Sequence, residues 1–333
     1  MVTSGTCELC SKTASSKCAG CGIAYYCSRE HQKAHWSKHK HICKPFTVKE
    51  DGVLGRHLVA TRRIRRGEVV LKERPLLVGP AQGTPPVCLG CLNGMTRGPG
   101  QPLACERCGW PMCSRQCAES PQHRPECQWT VAKRKSKVKI SQLNVSPHPT
   151  YACVLPLRYC YQKSNNPKLF EKLEGLESHR KERKDTDKYN WDKFGVVQLL
   201  RRFYSLPDSE FTDEQLLDIC GVIQVNGHEV PLSEPGHVGI YWKCSMLEHS
   251  CWANCSKSFT EAGEVLVRAA ADIAEGEHLS ICYTDPLWST PQRRYHLKET
   301  KFFECNCPRC SDPTEMGTYF SVFRCTQRSV LVG

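Results

Sequence analysis

Two features are missing from this chain of 333 residues, and each absence excludes or disfavours a class of protein. No run of eighteen consecutive apolar residues occurs, so no segment has the length and hydrophobicity of a membrane-spanning helix. The N-terminus carries no apolar signal segment, which disfavours a secreted module that is held together by disulfides. We therefore expect the 24 cysteines to be reduced, as in an intracellular protein.

The cysteines that are present are spaced like zinc ligands. A pair of cysteines separated by two residues binds one ion across a tight turn, and a pair four residues apart does so from one face of a helix. Because the pairs alternate along the chain, we expect the first and third pairs to share one ion, and the second and fourth another. Metal binding would then supply the folding free energy. The first four pairs are Cys7–Cys10, Cys18–Cys21, Cys27–His31 and His39–Cys43. His35 and His41 are alternatives to His39, which the four-residue step to Cys43 favours.

A second set of eight ligands repeats this order of pairs. A third set, near the C-terminal end, has only three cysteines and needs a fourth ligand from elsewhere in the chain. Cys251 is the candidate for that ligand and Cys255 the alternative. Seventeen cysteines and three histidines therefore predict about five zinc ions. The second set comprises Cys88, Cys91, Cys105, Cys108, Cys113, Cys117, His123 and Cys127, and the third comprises Cys305, Cys307 and Cys310.

Hydrophobic periodicity predicts an α+β fold, in which a β-sheet is interrupted by a zinc module and a helical insert. Residues 52–80 alternate like paired strands, with a turn at Arg66-Gly67-Glu68, and residues 151–205 have a helical period. Thr212 and Gln215 predict the capping box of a helix that ends near Gly221. Strands are expected again over 222–230, 265–268 and 278–283. Trp191 and Trp242 are predicted to be core residues, as are the unpaired Cys153, Cys160, Cys220, Cys244, Cys282 and Cys325.

The formal net charge of +12 favours acidic partners, although seventeen thiolates and five Zn²⁺ ions would reduce it to about +5. The basic residues also cluster locally, which leaves three interpretations open: nucleic-acid contact, a nuclear import signal, or a solvated linker face. This basic run consists of Lys133, Arg134, Lys135, Lys137 and Lys139.

The N-terminal pattern resembles a MYND zinc finger. The resemblance rests on Cys27, His31, Gln32, Trp36, His39 and Cys43, with His31 in place of the more usual cysteine. It implies a module that docks peptides, often proline-rich ones.

The later part of the chain resembles a SET domain with its post-SET zinc loop. The matching segments are Ser245–Cys251 with Asn254, Ala274–Glu277, Ile281–Tyr283 and Phe303–Cys310. Together with the fingers, they make the chain similar to the SET and MYND domain family of protein-lysine methyltransferases, in particular to arthropod members with an extra N-terminal finger. The implied layout is a MYND finger (1–46), SET strands (47–84), a second MYND-like module (85–130), a basic linker and helical insert (131–218), the SET core (219–290), the post-SET loop (291–312) and the truncated start of a C-terminal region (313–333).

The resemblance implies methyl transfer from S-adenosylmethionine to a lysine of a histone or another protein, in the nucleus and cytoplasm. Tyr283 is the implied channel tyrosine. Residues implied at the cofactor and the pocket are Gly55, Arg56, Asn226, Glu248, His249 and Phe303.

Three departures from the family pattern surround this implied site. His57 replaces the second glycine of a Gly-x-Gly turn, Glu248 replaces an asparagine, and Lys301 stands where a second channel tyrosine is usual. An ammonium at position 301 would repel the substrate ammonium unless it turned to solvent. The alternative function is therefore a catalytically silent adaptor or transcriptional corepressor that binds proline-rich peptides.

Overall fold

The computed structural model describes residues 4–19, 21, 23–95, 102–140, 143, 145–320, 322–324 and 331–332. These residues form two compact units: a terminal unit, Met1–Arg74 with Met246–Gly333, and a central unit, Pro75–Ser245. The predicted α+β class is confirmed by the mixture of helices and short sheets. Within the described ranges, no helix is long and apolar enough to cross a membrane. Cys325 lies outside the described residues.

The strands, in chain order, are β1 Gly5–Thr6, β2 Thr13–Ala14, β3 Ser16–Lys17, β4 Tyr25–Tyr26, β5 Phe46–Asp51, β6 Gly55–Ala60, β7 Val69–Glu73, β8 Leu77–Pro80, β9 Leu103–Ala104, β10 Pro111–Met112, β11 Gly227–Val230, β12 His237–Ile240, β13 Glu248–His249, β14 Cys255–Phe259, β15 Val265–Ala269, β16 Ser280–Ile281, β17 Phe323–Arg324 and β18 Leu331–Val332. The α-helices are α1 Arg29–Cys43, α2 Arg115–Glu119, α3 Arg124–Trp129, α4 Val154–Asn165, α5 Pro167–Glu174, α6 Arg180–Arg183, α7 Asp187–Trp191, α8 Gln198–Tyr204, α9 Asp213–Asn226, α10 Thr290–Lys301 and α11 Pro308–Ser311.

In the terminal unit, the finger is built from two short hairpins and α1, whose first turn is capped by the Ser28 hydroxyl. Strands β5 and β6 form an antiparallel hairpin, and β14, β15 and β7 form a three-stranded antiparallel sheet. Gly67 adopts a left-handed φ of +85°, which a turn at this point requires, so the predicted turn is confirmed. Strands β13 and β16 pair in parallel, with Glu248 opposite Ser280 and His249 opposite Ile281.

In the central unit, β11, β12 and β8 form an antiparallel sheet, and helices α3 to α9 surround a large apolar core. Two buried ion pairs, Glu126–Arg158 and Asp192–Arg183, lie inside this unit. Helix α7 continues into α8 through a π-helical stretch, Asp192–Val197.

Two predictions about the central unit are wrong. Helix α9 does begin with the predicted capping box, but it runs to Asn226 rather than ending near Gly221. Val222 and Ile223 are buried on that helix, and a short apolar run fits a helix as well as a strand.

Trp191 is predicted to be a core residue but is 44% exposed, whereas Val197 and Leu200, which follow it at helical spacing in the same apolar stripe, are fully buried. The π-helical stretch holds more residues per turn, so it changes the phase of the stripe between Trp191 and Val197.

Candidate zinc centres and candidate active site

The finger brings its eight predicted ligands together as two interleaved clusters. In the first cluster, Cys10 Sγ lies 3.6 Å from Cys27 Sγ, and His31 Nδ1 lies 3.7 Å from Cys7 Sγ. Zn–S bonds of about 2.3 Å give a tetrahedron with edges of about 3.8 Å, so these separations fit zinc. The full clusters are Cys7, Cys10, Cys27 and His31, and Cys18, Cys21, His39 and Cys43.

His39, rather than the alternative ligand His35, completes the second finger cluster. Its Nε2 lies 3.6 Å from Cys21 Sγ, and Cys18 Sγ lies 3.6 Å from Cys43 Sγ. His35 instead shares a hydrogen bond of 3.0 Å with the Tyr26 hydroxyl, so it is a packing residue of the finger.

The second module has the same interleaved arrangement within the central unit. Cys91 Sγ lies 3.6 Å from Cys113 Sγ in one cluster, and Cys108 Sγ lies 3.2 Å from His123 Nε2 in the other. The clusters are Cys88, Cys91, Cys113 and Cys117, and Cys105, Cys108, His123 and Cys127.

Sequence reasoning missed the carboxylate that orients His123. Glu126 is completely buried, lies 3.1 Å from His123 Nδ1, and accepts hydrogen bonds of 3.0 and 2.7 Å from Arg158. Burial raises the pKa of Glu126, but the Arg158 charge and the His123 hydrogen bond outweigh it and hold the pKa below its ordinary value. A carboxylate on the second ring nitrogen fixes the orientation of a zinc-binding imidazole. The three-residue step from His123 along a helix was the available sequence signal.

The fifth cluster joins Cys251 to the three post-SET cysteines, Cys305, Cys307 and Cys310. Cys251 Sγ lies 3.5 Å from Cys310 Sγ, whereas the alternative ligand Cys255 is buried in β14 outside the cluster. Cys282, predicted as a core residue, is only half-buried and lies against Cys251. The cysteine-rich clusters of this chain are zinc sites, since sulfur and imidazole ligands in fours are the set that zinc prefers.

A buried arginine, also missed from the sequence, contacts this fifth cluster. Arg293 of α10 is fully buried, and its Nε lies 3.2 Å from Cys251 Sγ while an Nη lies 3.5 Å from Cys310 Sγ. Its other Nη donates to Glu315 Oε2 at 2.8 Å. Four thiolates around one Zn²⁺ leave two negative charges, which the guanidinium partly offsets.

Tyr283 follows β16 and is held at both ends. Its backbone N–H donates to His249 Nδ1 at 3.0 Å, and its hydroxyl donates to the Leu247 carbonyl. The His249 ring centroid lies 5.1 Å from the Tyr283 ring and 5.7 Å from the Phe303 ring. Burial lowers the pKa of His249 to about 4, so this imidazole is neutral at physiological pH. The parallel pairing of β13 and β16 thus brings His249 next to Tyr283, and the segment after α10 adds Phe303.

Lys301 does not turn away from this group. Its Nζ lies 5.7 Å from the centroid of the Tyr283 ring, a cation–π distance. Burial, together with the charge of Lys257, lowers the pKa of Lys301 to about 8. The Lys301 side chain beside the tyrosine is therefore mostly an ammonium near neutral pH, with a fraction present as the neutral amine.

The other two departures from the family pattern, His57 and Glu248, are linked through His278, a residue that sequence reasoning missed. The buried His57 ring stacks on His278 with centroids 4.7 Å apart, and its Nδ1 lies 3.0 Å from the Gly55 carbonyl. His278 Nδ1 in turn lies 2.6 Å from Glu248 Oε1. The imidazole of His57 is thus packed inward, and the Glu248 carboxylate has a partner.

The turn that precedes His57 remains open for a ligand. Gly55 has a left-handed φ of +62°, and nothing lies within 4 Å of the position that a Cβ would occupy. The half-buried Arg56 follows it. This open backbone fits a bulky cofactor at the turn, while the engaged Glu248 carboxylate fits a cofactor ammonium less well.

Asn226 belongs to the central unit, where it ends α9. Its amide nitrogen donates to the carbonyl oxygens of Glu177 at 2.8 Å and Val222 at 2.9 Å. The side chain is therefore fixed by its own unit.

Part of the basic run is folded onto the central unit. Lys133 pairs with Glu210, and its Nζ lies 4.9 Å from the Trp129 ring centroid. Arg134 donates to the Phe203 carbonyl at 3.1 Å and stacks on the Phe203 ring. These contacts favour a packed linker over an extended nucleic-acid-binding arm.

Comparison with known proteins assigns the chain. The family model of the MYND finger matches residues 7–43, and that of the SET domain matches residues 55–284. The chain belongs to the SET and MYND domain family. MYND fingers are protein-interaction modules, and relatives such as SMYD3 are named lysine methyltransferases.

Two relatives and one solved structure illustrate how similar the chain is to known proteins. SmydA-8 isoform A of Drosophila melanogaster is 30% identical over 85% of this chain and 60% of its own length. The Homo sapiens histone-lysine N-methyltransferase SMYD3 is 30% identical over 77% of this chain and 59% of its own length. The chain thus spans about 60% of the length of these relatives. The SET domain of LSMT bound to methyllysine and AdoHcy is 12% identical, with a TM-score of 0.43 over 84% of this chain and 57% of that one.

Proposed function

We propose that this SET and MYND domain protein methylates lysine side chains of a histone or another protein. The observation that supports the proposal is the fixed group of Tyr283, His249 and Phe303, with the Tyr283 hydroxyl held against the Leu247 carbonyl. Such a group positions a lysine amine and surrounds it with rings that exclude water. S-adenosylmethionine would supply an electrophilic methyl group there.

The residues of the terminal unit divide into two roles under this proposal. Gly55, Arg56, Glu248 and His249 would hold the cofactor. Tyr283 orients the nitrogen lone pair of the lysine and, with the neutral His249 beside it, disfavours the charged form of the amine by desolvation. The lysine amine would lose its proton to solvent before the methyl transfer. None of these side chains therefore has to act as a base.

A direct assay tests this function. The zinc-loaded chain is incubated with radiolabelled S-adenosylmethionine and histone-tail peptides, and incorporation into lysine is counted. We expect incorporation that Tyr283→Phe reduces by about 100-fold or more, since that change removes an orienting hydroxyl while keeping the ring. Equal incorporation by Tyr283→Phe would contradict the role of the hydroxyl.

A second function is favoured by the His57–His278–Glu248 network. In a silent adaptor, this network and the Lys301 ammonium would keep cofactor and substrate out, and the finger would bind proline-rich peptides. Calorimetric titration with S-adenosylmethionine separates the two functions when a His57→Gly, Glu248→Asn double variant is titrated in parallel. Binding by the unmodified chain supports the enzyme, whereas binding by the variant alone supports the adaptor.

A further inference from the structure

The central unit contains a cavity of about 150 Å³ that none of the functions above uses. It lies between helices α4, α5 and α9, with Tyr159, Phe170 and Phe211 among its walls. Drug-sized ligands occupy about 300–1,000 Å³, so this cavity suits a single side chain or a molecule of a few heavy atoms.

Three aromatic rings make a corner in this cavity. Phe170 meets Tyr159 edge-on at a centroid distance of 5.6 Å and an interplanar angle of 86°. Phe170 and Phe211 are also edge-to-face, with centroids 6.1 Å apart. Tyr159 and Phe211 are each 1% exposed, so these rings are held rigidly. Rings set at right angles present both faces and edges to one small volume.

A polar group also lies at this corner. Within the described part of the chain, the Tyr159 hydroxyl has no hydrogen-bond partner, although the residue is 1% exposed and lines the cavity. A hydroxyl in that position is solvated only by what enters the cavity.

The charge of the cavity lining is negative. Glu174 and Asp218 both line it, and none of its lining residues in the described part of the chain is a lysine, arginine or histidine. Arg180 pairs with Asp218, whereas no ion pair of Glu174 occurs among the described residues. Glu174 lies close enough to Tyr159 for its charge, after burial, to raise the pKa of that hydroxyl. Outside the lining, the ammonium of Lys163 lies 4.4 Å from the Phe211 ring, so this ring already attracts a cation.

We propose that this cavity binds an alkylated ammonium group on an apolar stem, carried by a methylated lysine side chain or by a small free amine. Aromatic faces attract such a cation, and the Glu174 carboxylate adds a long-range attraction at the opening. A primary ammonium fits the aromatic corner less well, because it has three N–H donors and the three rings there offer only the Tyr159 hydroxyl as an acceptor. Alkylation removes those donors and lowers the cost of desolvation.

Calorimetric titration of the zinc-loaded full chain tests the proposal. The probes are one peptide that carries trimethyllysine, the same peptide with unmodified lysine, and the same peptide with a neutral tert-butyl isostere of trimethyllysine. We expect the trimethyllysine peptide to bind at least tenfold more tightly than the isostere. Equal binding of the neutral isostere, or no saturable binding of the cation, would overturn the proposal. Free choline, titrated separately, identifies a small amine as the source of the group if it binds as tightly as the peptide.

Variants place the binding in this cavity. Phe170→Leu removes a half-buried ring and Glu174→Gln removes a charge without changing volume, so we expect each to weaken binding by roughly tenfold. Glu171→Gln is the matched control, since it changes an exposed carboxylate of the same helix outside the cavity. Tyr283→Phe should leave this binding intact, which separates it from substrate binding at the proposed active site. Loss of binding in Tyr283→Phe, with unchanged binding in Phe170→Leu, would overturn the assignment.

Discussion

At the scale of single residues, Lys301 makes the proposed activity depend on pH. The pKa of about 8 means that Lys301 carries a positive charge below that pH and loses it above. The charged form repels a substrate ammonium near Tyr283, so the methylation rate should rise as the pH passes through about 8. Lys301→Met should be faster than the unmodified chain at pH 7 and should lack this step.

The rate profile from pH 6.5 to 9.5 is measured on one peptide with both proteins. Deprotonation of the substrate lysine contributes equally to the two profiles, so their ratio isolates Lys301. A constant ratio over the whole range would rule out this role for the Lys301 ammonium.

Arg293 should govern how tightly the fifth zinc is held. Arg293→Gln keeps a hydrogen-bond donor but removes the charge that faces Cys251 and Cys310, so we expect zinc affinity at this site to fall about 10- to 100-fold. Competition with a chromogenic chelator measures the release. Lys298→Gln, an exposed change on the same helix, is the control and should release zinc like the unmodified chain.

At the scale of helices and strands, Glu126 couples α3 to α4. Glu126→Gln removes the charge that offsets Arg158, and loss of one member of a buried ion pair costs about 3–5 kcal/mol. We expect the free energy of unfolding by urea to fall by about that amount, while Glu119→Gln, an exposed change in α2, leaves it within about 0.5 kcal/mol.

The pH dependence of stability follows from the sign of the Glu126 shift. Because its pKa is lowered in the folded state, the ionised carboxylate stabilises the fold above the unfolded-state pKa of about 4.3. That contribution is lost as the pH falls through the folded-state pKa. The difference in stability between the unmodified chain and Glu126→Gln should therefore shrink on acidification below about pH 4.5. A difference that stays constant down to pH 3 would contradict the coupling.

The zinc ligands could be predicted from the sequence because ligand spacing is a local property of the chain. Cys7 and Cys10, or Cys27 and His31, lie close in sequence, and the alternation of such pairs along the chain leads to the interleaved clusters that the structure contains. The partners of these sites were not predictable, because Arg158 and Arg293 come from distant segments that carry no spacing rule. His278 was missed on the same ground, since only the pairing of strands brings it to Glu248.

At the scale of the whole molecule, zinc removal should unfold the parts of the chain with a small apolar core before those with a large one. Among the described residues, the finger's core consists of three ligand cysteines with Ala14, Ala24 and Tyr26, whereas the central unit has a large core around α4 and α9. Three apolar side chains bury too little surface to offset the conformational entropy of ordering the finger, so metal binding must supply the difference.

Stepwise addition of a strong chelator, followed by hydrogen exchange and mass spectrometry, tests this order. We expect the zinc-loaded chain to release about five ions in total, in line with the five predicted zinc clusters that the described residues form. Peptides from α1 should lose protection at lower chelator concentrations than peptides from α4 and α9, and added zinc should restore them. Because α4 and α9 pack through residues such as Leu157 and Leu216, their protection should outlast that of α1. Simultaneous loss of protection in all three helices would mean that the central core, despite its size, depends on metal as fully as the finger does.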